Sequence, residues 1–142
     1  MVPLSVSTRG LGGISAEHAD ATRASMVSLS NPRTVVVLDD EVPIGDAVSR
    51  FLGMSGWHVL VCYDPARGLD AVIADPPFAL LVDLKMPSMH GGTLVRRVRE
   101  ALGPDSPRIV IISAHQPTPE DAALADGVLR KPFRPSELEN LL

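Results

Sequence analysis

Apolar runs that do not alternate with polar residues recur along the chain. One of them is Phe78-Ala79-Leu80-Leu81-Val82, which meets its first carboxylate at Asp83 and a proline at Pro87. Uninterrupted apolar runs of this length belong to strands covered on both faces, the situation of an inner parallel strand. Thr34-Val35-Val36-Val37-Leu38 repeats the pattern and ends in Asp39-Asp40-Glu41, and Arg108-Ile109-Val110-Ile111-Ile112 ends in Ser113. Trp57 to Tyr63 is a further strand, and Gly127-Val128-Leu129-Arg130 a weaker one that leads into Lys131-Pro132.

Between these runs the spacing changes to that of helices. Ile44, Val48, Phe51 and Leu52 recur on one helical face, with Gly53 and Gly56 marking the end. Asp64-Pro65 is a helix start, aspartate as cap and proline in the first turn, and Leu69, Val72 and Ile73 form the inward stripe before Asp75-Pro76-Pro77. Gly91-Gly92-Thr93 opens a third helix with Leu94, Val95, Val98 and Leu102 inward and Arg96, Arg97 and Arg99 toward solvent, closed by Gly103-Pro104. Thr118-Pro119-Glu120-Asp121 announces a short fourth helix. Pro135 begins a fifth, in which Leu138, Leu141 and Leu142 share a face. Strand and helix thus alternate five times after residue 33. Alternation of this kind predicts an α/β fold, a doubly wound five-stranded parallel sheet in the order 2-1-3-4-5 with flanking helices.

Residues 1–32 do not share the pattern. The first 31 carry six serines and three glycines with no apolar cluster, and no continuous apolar segment of a secretory signal. They read as a mostly disordered extension with a weak helix between Ser15 and Leu29, followed by one domain over 33–142. A chain of 142 residues has room for one such domain. The balance of 13 basic and 17 acidic residues, a net charge of −4, supplies no strong field toward nucleic acid or anionic membrane. No apolar run reaches the ~20 residues of a membrane span. The one cysteine, Cys62, cannot close an internal disulfide, which suits a reducing, cytoplasmic setting.

In open parallel sheets ligands gather beyond the carboxyl ends of the strands, at the point where the strand order reverses. Asp39 and Asp40 after the first strand, Asp83 after the third, Ser113 after the fourth and Lys131 after the fifth fall at that rim. Singly, each has an ordinary structural reading as a cap, a turn residue or a solvated charge; together they describe a site. Three neighbouring carboxylates invite a hard divalent cation, and Mg2+ fits an oxygen-only set that leaves room for a phosphate oxygen. One carboxylate is then left to attack phosphorus and form an acyl phosphate, with Lys131 balancing charge and the Ser113 hydroxyl donating to a phosphoryl oxygen. No histidine stands at a strand end to act as base, and His90 and His115 read as solvated loop residues.

These residues carry a resemblance. Val37-Leu38-Asp39-Asp40-Glu41, the run from Asp83 to Gly91, Ile112-Ser113-Ala114 and Lys131-Pro132-Phe133 resemble the receiver domain of two-component response regulators, with its flavodoxin-like fold. The likeness covers residues 34–142 and leaves the extension aside. It implies that Asp83 is the phosphoacceptor, served by a histidine kinase or a histidine phosphotransfer protein. It implies that Asp39, Asp40, Asp83 and the backbone carbonyl of Lys85 hold Mg2+, and that Ser113 and Lys131 engage the phosphoryl group. A cis Lys131-Pro132 peptide is implied as well. Such a domain signals through protein contacts, with only slow self-phosphorylation from small donors and slow self-dephosphorylation.

Three departures from the family pattern shape the expected output. The interval from Ser113 to Lys131 is about one helical turn short, which abbreviates the fourth helix. The switch aromatic, normally three residues before the lysine, is Val128 here. The chain ends at Leu142 with no output domain after it, so an unknown downstream protein is expected to read the signal, without direct nucleic acid binding. A monomer or a weak dimer is expected, since the shortened region is where many relatives pair. Two other readings are open. A Mg2+-dependent phosphatase would need a second carboxylate two residues after the nucleophile, where Lys85 stands. The other is an atypical receiver that acts as a binding module without phosphorylation.

Overall fold

The structure, a computed structural model, describes residues 33–142; the expected extension over 1–32 and its weak helix lie outside the described residues. The order of elements is β1 (Thr34–Leu38), α1 (Val42–Met54), β2 (His58–Cys62), α2 (Pro65–Ala74), β3 (Ala79–Asp83), α3 (Gly91–Leu102), a 3-10 turn (Gly103–Asp105), β4 (Arg108–Ser113), α4 (Pro119–Leu124), β5 (Gly127–Arg130) and α5 (Pro135–Glu139). The five strands form one sheet in the order β2-β1-β3-β4-β5, every pair parallel. The fold and its strand order are those the alternation predicts.

Alternation hidden within the apolar runs builds two cores from one sheet. Val36, Leu38, Leu80 and Val82 face one way, toward Val72 of α2 and Leu94 of α3. Val35, Val37 and Leu81 face the other way, toward Leu52 of α1 and Leu138 of α5. Every residue of β1 and β3 is buried, which is why neither strand shows polar alternation. Each aliphatic side chain buried in this way stabilises the fold by about 1.5–3 kcal/mol.

Two helix starts follow from their caps. Asp64 accepts hydrogen bonds from the Ala66 and Arg67 amides ahead of Pro65, and the Thr118 hydroxyl accepts from the Asp121 amide ahead of Pro119. Two details differ from the sequence reading. Arg99 is not a solvated charge: its Nε donates to the Leu124 carbonyl at 2.9 Å, and a terminal nitrogen reaches Asp126 Oδ2 at 3.1 Å. The reason is the brevity of α4, six residues, which leaves the last carbonyl of the helix unmet beside α3. The fifth helix stops at Glu139, and Leu141 and Leu142 reach the core through tight turns onto the Leu138 and Glu139 carbonyls.

Candidate functional site

The switch between β1 and β3 brings two buried carboxylates side by side. Asp39 follows β1 directly and is fully buried; Asp83 closes β3 and is 4% exposed. Each is tethered through one oxygen by a backbone amide two residues on. Asp39 Oδ1 accepts from Glu41 at 2.8 Å, and Asp83 Oδ1 accepts from Lys85 at 3.3 Å. The other oxygens face inward to the end of β5. Lys131 Nζ lies 3.3 Å from Asp39 Oδ2, 3.4 Å from Asp83 Oδ2 and 2.7 Å from Glu41 Oε1. The Lys131-Pro132 peptide is cis.

One ammonium does not satisfy this set. Asp39 Oδ2 is buried and makes an ion-pair contact with Lys131 but no hydrogen bond. Burial pushes the Asp39 carboxyl up from 3.8 to about 6, and the charge of Asp83 adds to the rise; the Glu41 amide and Lys131 offset only part of it. For Lys131 burial works downward, but the hydrogen bond it donates to Glu41 and the charges of Asp39 and Asp83 outweigh it and hold the ammonium above its ordinary value. Ligand oxygens of Asp39, Glu41 and Asp83 all lie within 4.8 Å of one another. An all-oxygen donor set with a buried oxygen that makes no hydrogen bond fits a hard divalent cation of the Mg2+ kind.

The remaining residues expected at the site are placed as follows. Asp40 is exposed and stands outside the carboxylate trio, and Lys85 is exposed beyond Asp83. Ser113 is buried at the end of β4, where its hydroxyl donates to the His115 carbonyl at 2.6 Å and accepts from the His115 amide at 3.0 Å. His90 does more than face solvent: its Nδ1 caps α3 by accepting from the Gly92 amide at 3.1 Å. Val128 is half-buried on β5 and packs against the core shared with α2 and α3.

Glu41 is the site residue that sequence reasoning passed over. Its signal was its place as the third acid after β1, but a single sequence does not tell which of three successive acids turns inward. Gly91 and Gly92 were read only as a helix start. A Cβ on Gly91 would lie 2.4 Å from the Asp83 carbonyl oxygen, and one on Gly92 would lie 2.3 Å from the buried Asp121 carboxylate. Glycine is required there because α3 begins in contact with both the end of β3 and α4.

The sequence profile described as "Response regulator receiver domain" matches residues 35–142. The chain belongs to the response regulator receiver domain family. As a receiver domain it is a signalling domain of two-component systems. It is 32% identical over 107 residues to the response regulator MprA of Mycobacterium avium, across 73% of this chain and 46% of that protein. MprA of Mycolicibacterium vanbaalenii is 31% identical over 110 residues, across 75% of this chain and 47% of the relative. The chain therefore spans about half the length of the curated relatives it matches. Among solved structures, the chemotaxis response regulator CheY4 of Vibrio cholerae superposes with a TM-score of 0.69 at 26% identity, covering 77% of this chain and 98% of that one. The CheY-like receiver domain from Methylobacillus flagellatus superposes with a TM-score of 0.70 at 22% identity, covering 77% and 94%. Among the described residues no helix is long and apolar enough to cross a membrane.

Proposed function

We propose that residues 33–142 form a phosphoacceptor receiver in which Asp83 takes a phosphoryl group from a phosphohistidine of a histidine kinase or phosphotransfer protein. The observation that carries this reading is the meeting of Lys131 Nζ with the buried carboxylates of Asp39 and Asp83. In this reading a carboxylate oxygen of Asp83 attacks phosphorus, the P–O bond forms as the P–N bond breaks, and the electron pair leaves with the imidazole, which takes up a proton. Asp83 is held for this by β3 behind it and by the Lys85 amide on one oxygen. Lys131 then pairs with a phosphoryl oxygen. Ser113 turns from the His115 backbone toward another. A bound Mg2+ would neutralise charge on the transferring oxygens, held by Asp39 and Asp83 with Asp40 and the Lys85 carbonyl at the mouth. The receiver of Thermotoga maritima response regulator TrrA, solved in complex with Mg2+ and BeF, shares the fold at a TM-score of 0.68 and 19% identity.

The added charge and acceptor oxygens at Asp83 bias the surrounding loops toward a second arrangement, which a downstream protein reads. Intact mass after incubation with Mg2+ and a small phosphodonor tests the reading. One phosphoryl adduct is expected, and it is absent from Asp83→Asn and in the presence of EDTA. The alternative is a binding module that works without phosphorylation, a reading that starts from Val128, which supplies no ring to turn inward. Absence of an adduct with every donor selects that module.

A further inference from the structure

We propose that Glu41 is the station to which Lys131 withdraws when a divalent cation enters between Asp39 and Asp83. The inference rests on the phosphoacceptor reading and extends it to a residue outside the acceptor set. Lys131 Nζ lies within 3.4 Å of Asp39, Glu41 and Asp83, the three carboxylates whose oxygens converge. An ammonium and a divalent cation cannot share so small a cluster, because their repulsion grows as water is excluded. Lys131 must move off the buried pair, and its side chain is only 12% exposed, so it has little water to move into.

Glu41 provides the way out. Its side chain is 56% exposed, and it already makes the shortest of the three contacts, 2.7 Å. Its backbone is pinned: the amide donates to Asp39, and the carbonyl accepts from the Ile44 and Gly45 amides at the start of α1. The main chain of Glu41 therefore orients Asp39, while its side chain is free to swing outward with the lysine. Asp40 makes neither contact among the described residues. Held by Glu41, Lys131 stays at the mouth of the site, where a phosphoryl oxygen arriving on Asp83 can take it over. Glu41 is thus a positioning residue acting through Lys131.

A double-mutant cycle read by calorimetric Mg2+ binding to the full chain tests this. Glu41→Gln is expected to weaken Mg2+ by about threefold to tenfold, the scale of a charge-assisted contact with one exposed partner. Lys131→Met is expected to tighten Mg2+. In the Lys131→Met background the Glu41→Gln effect is expected to vanish, with thermal unfolding of Glu41→Gln close to the wild type. Equal weakening in both backgrounds would make Glu41 a direct ligand and overturn the proposal, as would no change in either. Wild-type chain that binds Mg2+ but acquires no phosphoryl adduct strikes the receiver reading alone. Wild-type chain that binds no Mg2+ overturns the station.

Discussion

The two rims of the sheet solve opposite problems with different residue types. At the amino-end rim, the Arg33 guanidinium lies 4.2 Å above the Trp57 ring, and its Nη2 donates to the Ser55 carbonyl at 2.6 Å. Trp57 in turn tilts against Phe78 with ring centroids 5.4 Å apart. Among the described residues these contacts join Arg33 to an aromatic face and a backbone carbonyl and hold the chain closed. At the carboxyl-end rim, Asp39 and Asp83 are buried together with a single ammonium, and one carboxylate oxygen has no hydrogen bond. A fold that needed only stability would not keep that arrangement. The contrast places cohesion at one end and, in the proposed reading, chemistry at the other.

Substitutions at the two ends should separate those properties. The largest effect is expected from Asp83→Asn, which should abolish the phosphoryl adduct in intact mass while leaving the urea midpoint at or above that of the wild type. Any adduct on the variant moves the acceptor elsewhere. Trp57→Ala should cost about 3–5 kcal/mol in urea unfolding, as an aromatic removed from a packed site does, yet leave Mg2+ affinity unchanged. A matching loss of Mg2+ binding would erase the division between the rims.

Asp39 gives a third separation, through pH. Its folded value of about 6 lies above its ordinary 3.8, so the native state holds the extra proton between those values. Stability from this group therefore falls as pH rises from about 4 to about 6, and the full cost, on the order of 2–3 kcal/mol, persists above that. Asp39→Asn in EDTA should then be more stable than the wild type at pH 8, with the gap closing toward pH 4. Denaturation at a series of pH values checks this, and a gap that does not change with pH contradicts it. Arg33→Ala should have the smallest effect, about 0.5–1 kcal/mol, seen in unfolding with no change at the acceptor.

Much of this division is legible in the residues before any coordinates. The apolar runs reveal β1 and β3 because a strand covered on both faces leaves no polar positions. The aspartates at their ends follow from strand order. Distances within a run of acids are harder: Asp39, Asp40 and Glu41 are consecutive, and only the turn into α1 decides that Asp40 faces water while Glu41 reaches Lys131. Arg99 was misread for a related reason. Helical spacing places it on the flank of α3, and only the early end of α4 brings a bare carbonyl and Asp126 within its reach. The close approach of Gly92 to Asp121 depends on elements far apart in sequence, whereas the His90 cap is local, made to an amide two residues on.

The placement of charges along the sheet also sets a clock. β1 and β3 each have a neighbouring strand on both sides and no exposed residue, so their amides exchange with solvent only in the rarest openings. Lys131 follows β5, an edge strand of four residues that is flanked by helices of six and five residues. Deuterium should therefore enter the β5 side well before the β1 and β3 amides. That order would tie the two anions to the slow half of the molecule and their counter-charge to the fast half, so each opening of the β5 side would break and remake the pairing while the carboxylates' own framework stays closed.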